Sequence, residues 1–190
     1  MKKHFFIALF TLIYCGVPFV YGSNSILDGK ELEITYNVNR IPGPGSNQIA
    51  VWIEDAQENY VRSLYASRFT ADGGYVRREV SLSEWIEKSD WANASKEEID
   101  AVSGSTQTEG LATLVWDFKD KSGEWIKSGR YIICIEANIK NEKKMFYRGV
   151  VVVDKQTVDV KPGRITYSES EDDLEAGPQI FRDVEMKLKF

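Results

Sequence analysis

ELEITYNV, Glu31 to Val38, alternates strictly: Leu32, Ile34, Tyr36 and Val38 fall on one side, Glu31, Glu33, Thr35 and Asn37 on the other. Successive side chains of a strand point to opposite faces, so a period of two predicts a half-buried β-strand. The pattern recurs along most of the chain. QIAVWIEDA sets Ile49, Val51 and Ile53 opposite Ala50 and Trp52, and NYVRSLYAS is its expected hairpin partner across AQEN. GYVRREV, LATLVWD, RYIICIEANI, MFYRGVVVVD and RITYS are further strand candidates. In the closing FRDVEMKLKF, Val184, Met186, Leu188 and Phe190 alternate with charges.

Helical signals are confined to the middle. SLSEWIEK carries Ser81 and Glu84 at capping-box spacing, and SKEEID repeats it with Ser95 and Glu98. IPGPGSN must be a loop, because Pro42, Pro44 and two glycines forbid regular structure. Roughly eight strands with a small helical segment predict an all-β fold. The expected architecture is an immunoglobulin-like two-sheet β-sandwich with a short helical insertion; a barrel is the alternative.

The first residues read differently. MKKHFF is a basic start, IALFTLIYCGVPFV an apolar run too short to span a membrane well, and VYGSNS supplies small residues. Residues 1–22 are expected to be a secretory signal peptide cut after Gly22, leaving residues 23–190 as a single domain. Losing Lys2 and Lys3 from the 24 basic residues leaves 22 against 29 acidic ones, a net charge near -7. Such a chain has no electrostatic case for nucleic acid or anionic lipid. The expected location is periplasmic or otherwise extracytoplasmic.

Two scarcities restrict the chemistry. His4 is the only histidine and leaves with the leader, as does Cys15, so Cys134 remains alone. Histidine-based triads, histidine-ligated zinc, internal disulfides and CxxC redox pairs are thereby closed. Within RYIICIEA, Cys134 reads as a buried small hydrophobe. Only a carboxylate-based enzyme mechanism stays open, and no acidic pair stands out for it, so the chain is expected not to be an enzyme. SESEDDLEAGP reads as a solvated acidic loop, with calcium capture as the alternative.

WDFKDKSGEWIKSGRY, residues 116–131, has two turns: one at Asp120 and Gly123, the other at Lys127, Ser128 and Gly129. Trp116 and Tyr131 are expected core aromatics; a calcium site using Asp117 and Asp120 is the weaker reading. IAVWIEDAQENYVRSL, SLSEWI, DAVSGST and WDFKDKSGEWIKSGRYIICIEA occur in that order. Together they resemble the exported bacterial family called domain of unknown function 2271, over residues 49–153. The last stretch also looks like the strand-turn-strand of immunoglobulin-like domains in flagellar hook-capping proteins.

That resemblance implies an accessory role in extracytosolic flavin systems, beside a flavin transferase or a PepSY-type membrane reductase. A second resemblance is local. Asp100-Ala101-Val102-Ser103-Gly104-Ser105-Thr106 looks like the covalent FMN attachment motif D-x-x-[ST]-G-A-[ST], departing from it at Ser105. By that resemblance Thr106 is the acceptor hydroxyl, on an exposed and deformable segment. Gly104 would let the backbone bend, and Asp100 would orient the acceptor in the transferase complex. Backbone amides around Ser103 and Thr106 would cradle a phosphate as a nest, and Trp85, Trp91 or Trp125 would stack on the flavin ring. A structural turn accounts for the same residues. Trp52 and Trp116 are expected in the core, Trp91 and Trp125 nearer the surface. The competing expectation for the whole chain is a non-redox protein- or glycan-binding module.

Overall fold

The strands ELEITYNV, QIAVWIED and YVRSLYAS are β1 (Glu31–Val38), β2 (Gln48–Asp55) and β3 (Tyr60–Ser67) of a computed structural model. It describes residues 26–41, 47–138, 144–168 and 179–190. The expected leader and the acidic run at 169–178 lie outside the described residues. After β3 come three short helices, α1 (Arg68–Ala71), α2 (Ser83–Ser89) and α3 (Lys96–Val102). The remaining strands are β4 (Ser103–Gly104), β5 (Gly110–Trp116), β6 (Gly129–Asn138), β7 (Lys144–Val153), β8 (Val158–Tyr167) and β9 (Phe181–Lys189).

Two sheets form, ordered β5-β1-β9 and β4-β3-β2-β6-β7-β8. Every pairing is antiparallel except β3 with β4. The sheets enclose a core in which Leu32, Ile34, Tyr36 and Val38 of β1 face Val51 and Ile53 of β2 and Ile133 and Ile135 of β6. The architecture is the expected all-β two-sheet sandwich with a helical insertion. Trp116 and Tyr131 pack edge-to-face in this core at 5.7 Å, and the Tyr131 hydroxyl donates to the Lys127 carbonyl at 2.8 Å.

Residues 68–102 cover the outer face of the larger sheet and create a second core. Ala50, Trp52, Ala66 and Cys134 of the sheet meet Leu82, Trp85, Trp91 and Val102 there. This is why β2 is buried at seven successive positions although its sequence alternates only in part. Trp52 belongs to the outer core rather than to the inter-sheet one.

Three local expectations are corrected. GYVRREV is not a strand: Gly74–Val76 is a 3-10 turn, and a Cβ on Gly74 would lie 2.2 Å from the Phe69 carbonyl oxygen. Val76 is 71% exposed, so its alternation served no buried face. The Ser81 capping box does not form either. Its hydroxyl bonds to Thr70 at 2.7 Å in the buried outer core, and α2 starts from Leu82 in a left-handed conformation. RITYS is the end of a longer strand, β8, whose Pro162 is tolerated on a sheet edge beside a register shift opposite Arg148 and Val150. The Ser95 cap does form, accepting the Glu98 N–H at 3.1 Å.

Candidate functional site

The segment Asp100 to Thr106 spans the end of α3, β4 and the chain after it. Asp100 is exposed on the last turn of α3. Ser103 and Gly104 then run parallel to Ala66 and Ser67 of β3, at the end of the larger sheet. Parallel neighbours need a long crossover, and residues 68–102 are that crossover. Gly104 is required by contact: a Cβ there would stand 2.4 Å from Cε2 of Tyr65. None of residues 103–106 has positive φ, so the expected phosphate nest, which needs a left-handed residue, is not formed.

Two buried tyrosines pin the segment. Tyr65 donates its hydroxyl to the Ser105 carbonyl at 2.7 Å, and Tyr36 donates to Oε1 of Gln107 at 2.7 Å. Burial raises both phenols above their ordinary value, so both remain donors. The segment is therefore held, not the deformable stretch expected. Ser105 enters through its carbonyl, so serine in place of alanine leaves the anchoring intact. Between the two anchors, Thr106 is half-buried, and no hydrogen bond to a described residue uses its hydroxyl.

Two of the tryptophans fall differently from expectation, while Trp52 and Trp116 are in the core and Trp125 is near the surface as expected. Trp85 and Trp91 are both buried in the outer core, their ring centroids 4.4 Å apart. Their indole N–H groups donate to Ser63 Oγ at 2.8 Å and to the Ala71 carbonyl at 3.0 Å. Neither presents a face to a ligand. Trp125 remains partly exposed, with the Lys119 ammonium over its ring at 5.0 Å.

A cleft of about 710 Å³ opens beside the segment, between α3, β3 and the turn at residues 120–123. Tyr60, Arg62 and Leu64 contribute from β3, Val102 from α3, Val115 from β5 and Lys121 from the turn. Its form follows from local chemistry. Asp120 Oδ1 accepts the N–H groups of Ser122 and Glu124 at 2.8 and 3.1 Å, Gly123 takes φ +80, and the Lys121 N–H donates to the Val61 carbonyl at 3.1 Å. Arg62 pairs with Asp117 at 2.7 Å. The Tyr60 hydroxyl donates to Ser63 Oγ at 2.9 Å and lies 3.5 Å from Oε1 of Glu98. Opposite the cleft's floor, β2 and β3 slip register twice, between Val51 and Trp52 and between Ile53 and Glu54. Such bulges re-aim side chains beside sites.

The family model described as "Predicted periplasmic protein (DUF2271)" matches residues 31–167. The chain belongs to this family. No curated protein and no solved structure matches it. Among the described residues of this DUF2271 protein, no helix is long and apolar enough to cross a membrane. Asp117 and Asp120, weighed as calcium ligands, serve an ion pair and a turn instead.

One buried group escaped the sequence reading. Glu136 of β6 is 0% exposed and its Oε2 accepts the Trp85 backbone N–H at 2.9 Å, capping α2 from the sheet. Its Oε1 and the Asn138 Oδ1 have no hydrogen-bond partner among the described residues. Burial raises the carboxyl to about 7, with Glu84 adding to the rise and Lys144 opposing it. A glutamate within an apolar strand was the available signal.

Proposed function

We propose that this periplasmic DUF2271 protein is a non-catalytic carrier of covalent FMN, accessory to extracytoplasmic electron transfer, with Thr106 as the acceptor. The observation that carries the reading is the Thr106 hydroxyl, without a hydrogen-bond partner among the described residues, between two neighbours that Tyr65 and Tyr36 hold in place. A segment so anchored offers one hydroxyl in a reproducible position, which limits the ordering cost of entering a transferase. The chain's own residues fit such an attachment: a hydroxyl with no partner among the described residues, a close-packed Gly104 and an exposed Asp100 near the end of α3.

In the transfer, the Thr106 oxygen bonds to the FMN phosphorus of a flavin dinucleotide. The pyrophosphate P–O bond breaks, a nucleoside monophosphate leaves, and the hydroxyl proton passes to a base of the transferase. When attached, FMN supplies electron transfer. Gly104 and Tyr65 keep the backbone at the attachment point fixed. The partners of this reading are a flavin transferase, which loads the chain, and a PepSY-type membrane reductase, which exchanges electrons with it.

The test is co-expression with an active flavin transferase, followed by denaturing electrophoresis, in-gel flavin fluorescence and peptide mass. The expected result is a fluorescent band and an FMN mass gain on the peptide bearing Thr106, both lost in Thr106→Ala and kept in Ser103→Ala. An unmodified chain beside an active transferase overturns the reading.

A further inference from the structure

The geometry points to the outer face of β6, β7 and β8 as a docking surface for an acidic, extended segment of a partner protein. It is independent of Thr106, which follows β4 at the opposite end of the same sheet. Ile133, Val151 and Ile165 point into the inter-sheet core, so their alternate neighbours point outward. The register sets those neighbours in rows across the strands. Arg130, Val152 and Asp159 form one row, Ile132, Val150 and Lys161 the next, and Arg148 stands directly opposite Arg164 in the third.

The charges on these rows are segregated: four basic residues and one acidic, in a chain with more acidic residues than basic ones. Lys161 lies 3.7 Å from Asp159, and Arg148 pairs with Glu84 of α2. Arg130 and Arg164 are exposed, with no hydrogen bond or ion pair to any described residue. Like charges directly opposite across a strand pair cost stability, and a carboxylate at Arg164 relieves that cost. Between the charged rows, Ile132 and Val150 are half-buried and apolar. An extended segment rises about 3.3 Å per residue, as do the strands beneath it, so its alternate residues keep step with the rows. Lying over β7, a segment with carboxylate, apolar residue and carboxylate at alternate positions meets Arg164, then Ile132 and Val150, then Arg130. Each guanidinium offers a planar fork of donors for a carboxylate.

The chain's own acidic run does not account for the whole face. Residues 169–178 follow Ser168, bonded to Lys144, and precede Gln179, bonded to Asn39. Asn39 is bonded in turn to Asn47, at the Lys144 end of the sheet. Arg130 pairs with Val152, eight residues along β7 from Lys144 and so ~26 Å away. Reaching it and returning takes ~52 Å, more than the ~40 Å that the chain from Ser168 to Gln179 spans when fully extended.

The experiment titrates the full chain into a dye-labelled, end-capped peptide, Ser-Glu-Thr-Leu-Thr-Glu-Ser, and reads fluorescence anisotropy. The expected result is saturable binding that weakens with added salt and is absent for the same peptide with glutamine in place of glutamate. Arg164→Gln, Arg130→Gln and Ile132→Thr should each weaken it several-fold, with denaturation midpoints showing that the variants are folded. Arg182→Gln, on the other sheet, should leave it unchanged. No saturable binding, equal binding of the glutamine peptide, or an equal loss with Arg182→Gln overturns the proposal. So does a dimer in sedimentation that Arg164→Gln dissolves, which would make a second copy the occupant. Capture of phosphatidylglycerol vesicles without peptide binding, or peptide binding only after the acidic residues of 169–178 are neutralised, overturns it as well.

Discussion

The Glu136 carboxylate of β6 accepts the Trp85 backbone N–H at 2.9 Å, so a strand residue caps the helix laid across its sheet. The helix α2 has no side-chain cap of its own, and Leu82 at its N-cap position is apolar. Holding the insertion against the sheet therefore depends on a carboxyl that burial raises to about 7.

A raised carboxyl makes stability depend on pH. The folded-state value lies above the ordinary 4.5, so folding favours the neutral form. Its contribution is complete below about pH 4.5 and is lost as pH rises through 7. The decline across that window should be on the order of 3 kcal/mol, and Glu136→Gln should remove most of it. Chemical denaturation at pH 5 and pH 8 measures both; equal slopes in the two proteins would refute the assignment.

Removing the cap altogether is a separate matter. Glu136→Ala leaves the Trp85 N–H unpaired beneath the insertion, at a cost of about 1–3 kcal/mol below pH 4.5, where the wild-type carboxyl is neutral, and at a smaller cost at pH 8. Limited proteolysis should then cut first within residues 68–102, ahead of the strands.

Gly104→Ala should destabilise the fold by about 1–3 kcal/mol, because its Cβ would stand 2.4 Å from the Tyr65 ring. The substitution should also lower flavin loading, since Tyr65 would lose its grip on the Ser105 carbonyl. Tyr65→Phe keeps the ring but loses that bond, and should cost nearer 1 kcal/mol. Denaturation midpoints and in-gel fluorescence of the two variants separate packing from anchoring.

Trp85→Ala removes a wholly buried indole packed at a tilt against Trp91 and bonded to Ser63, and should cost about 3–5 kcal/mol. Trp125→Ala should fall within about 0.5 kcal/mol of wild type, because Trp125 is 37% exposed. Similar losses in both variants would contradict the two-core arrangement.

Cys134 should be inert in the folded protein. Its thiol is buried in the outer core, and burial raises it well above its ordinary value. A thiol reagent should react with it only after denaturation; rapid labelling of the native chain would show that the insertion opens readily.

Legibility in the sequence followed the environment of each residue. β1 faces the core with one side and alternates cleanly, so its buried residues were readable. The outer face of β2 and β6 was harder, since Trp52, Cys134 and Glu136 are covered by a segment far away in sequence. Ser81 had the right spacing for a cap, yet buried contact with Thr70 decided its role. Trp91 stood among polar neighbours and still ended 2% exposed beneath its own insertion. The motif at residues 100–106 was visible as a string; its rigidity was not, because Tyr36 and Tyr65 come from other strands.

Alternation is a local consequence of backbone geometry, so the strands, their inward residues and the two-sheet class follow from the chain's order of residues. Which outer face is covered, that Gly104 admits a tyrosine ring, and that Ser105 and Gln107 are held by Tyr65 and Tyr36 all depend on contacts between distant strands. The cleft is the clearest case. It joins residues 60–64, 95–102, 115 and 120–123, and only the packing of α3 and a turn against β3 brings them to one place.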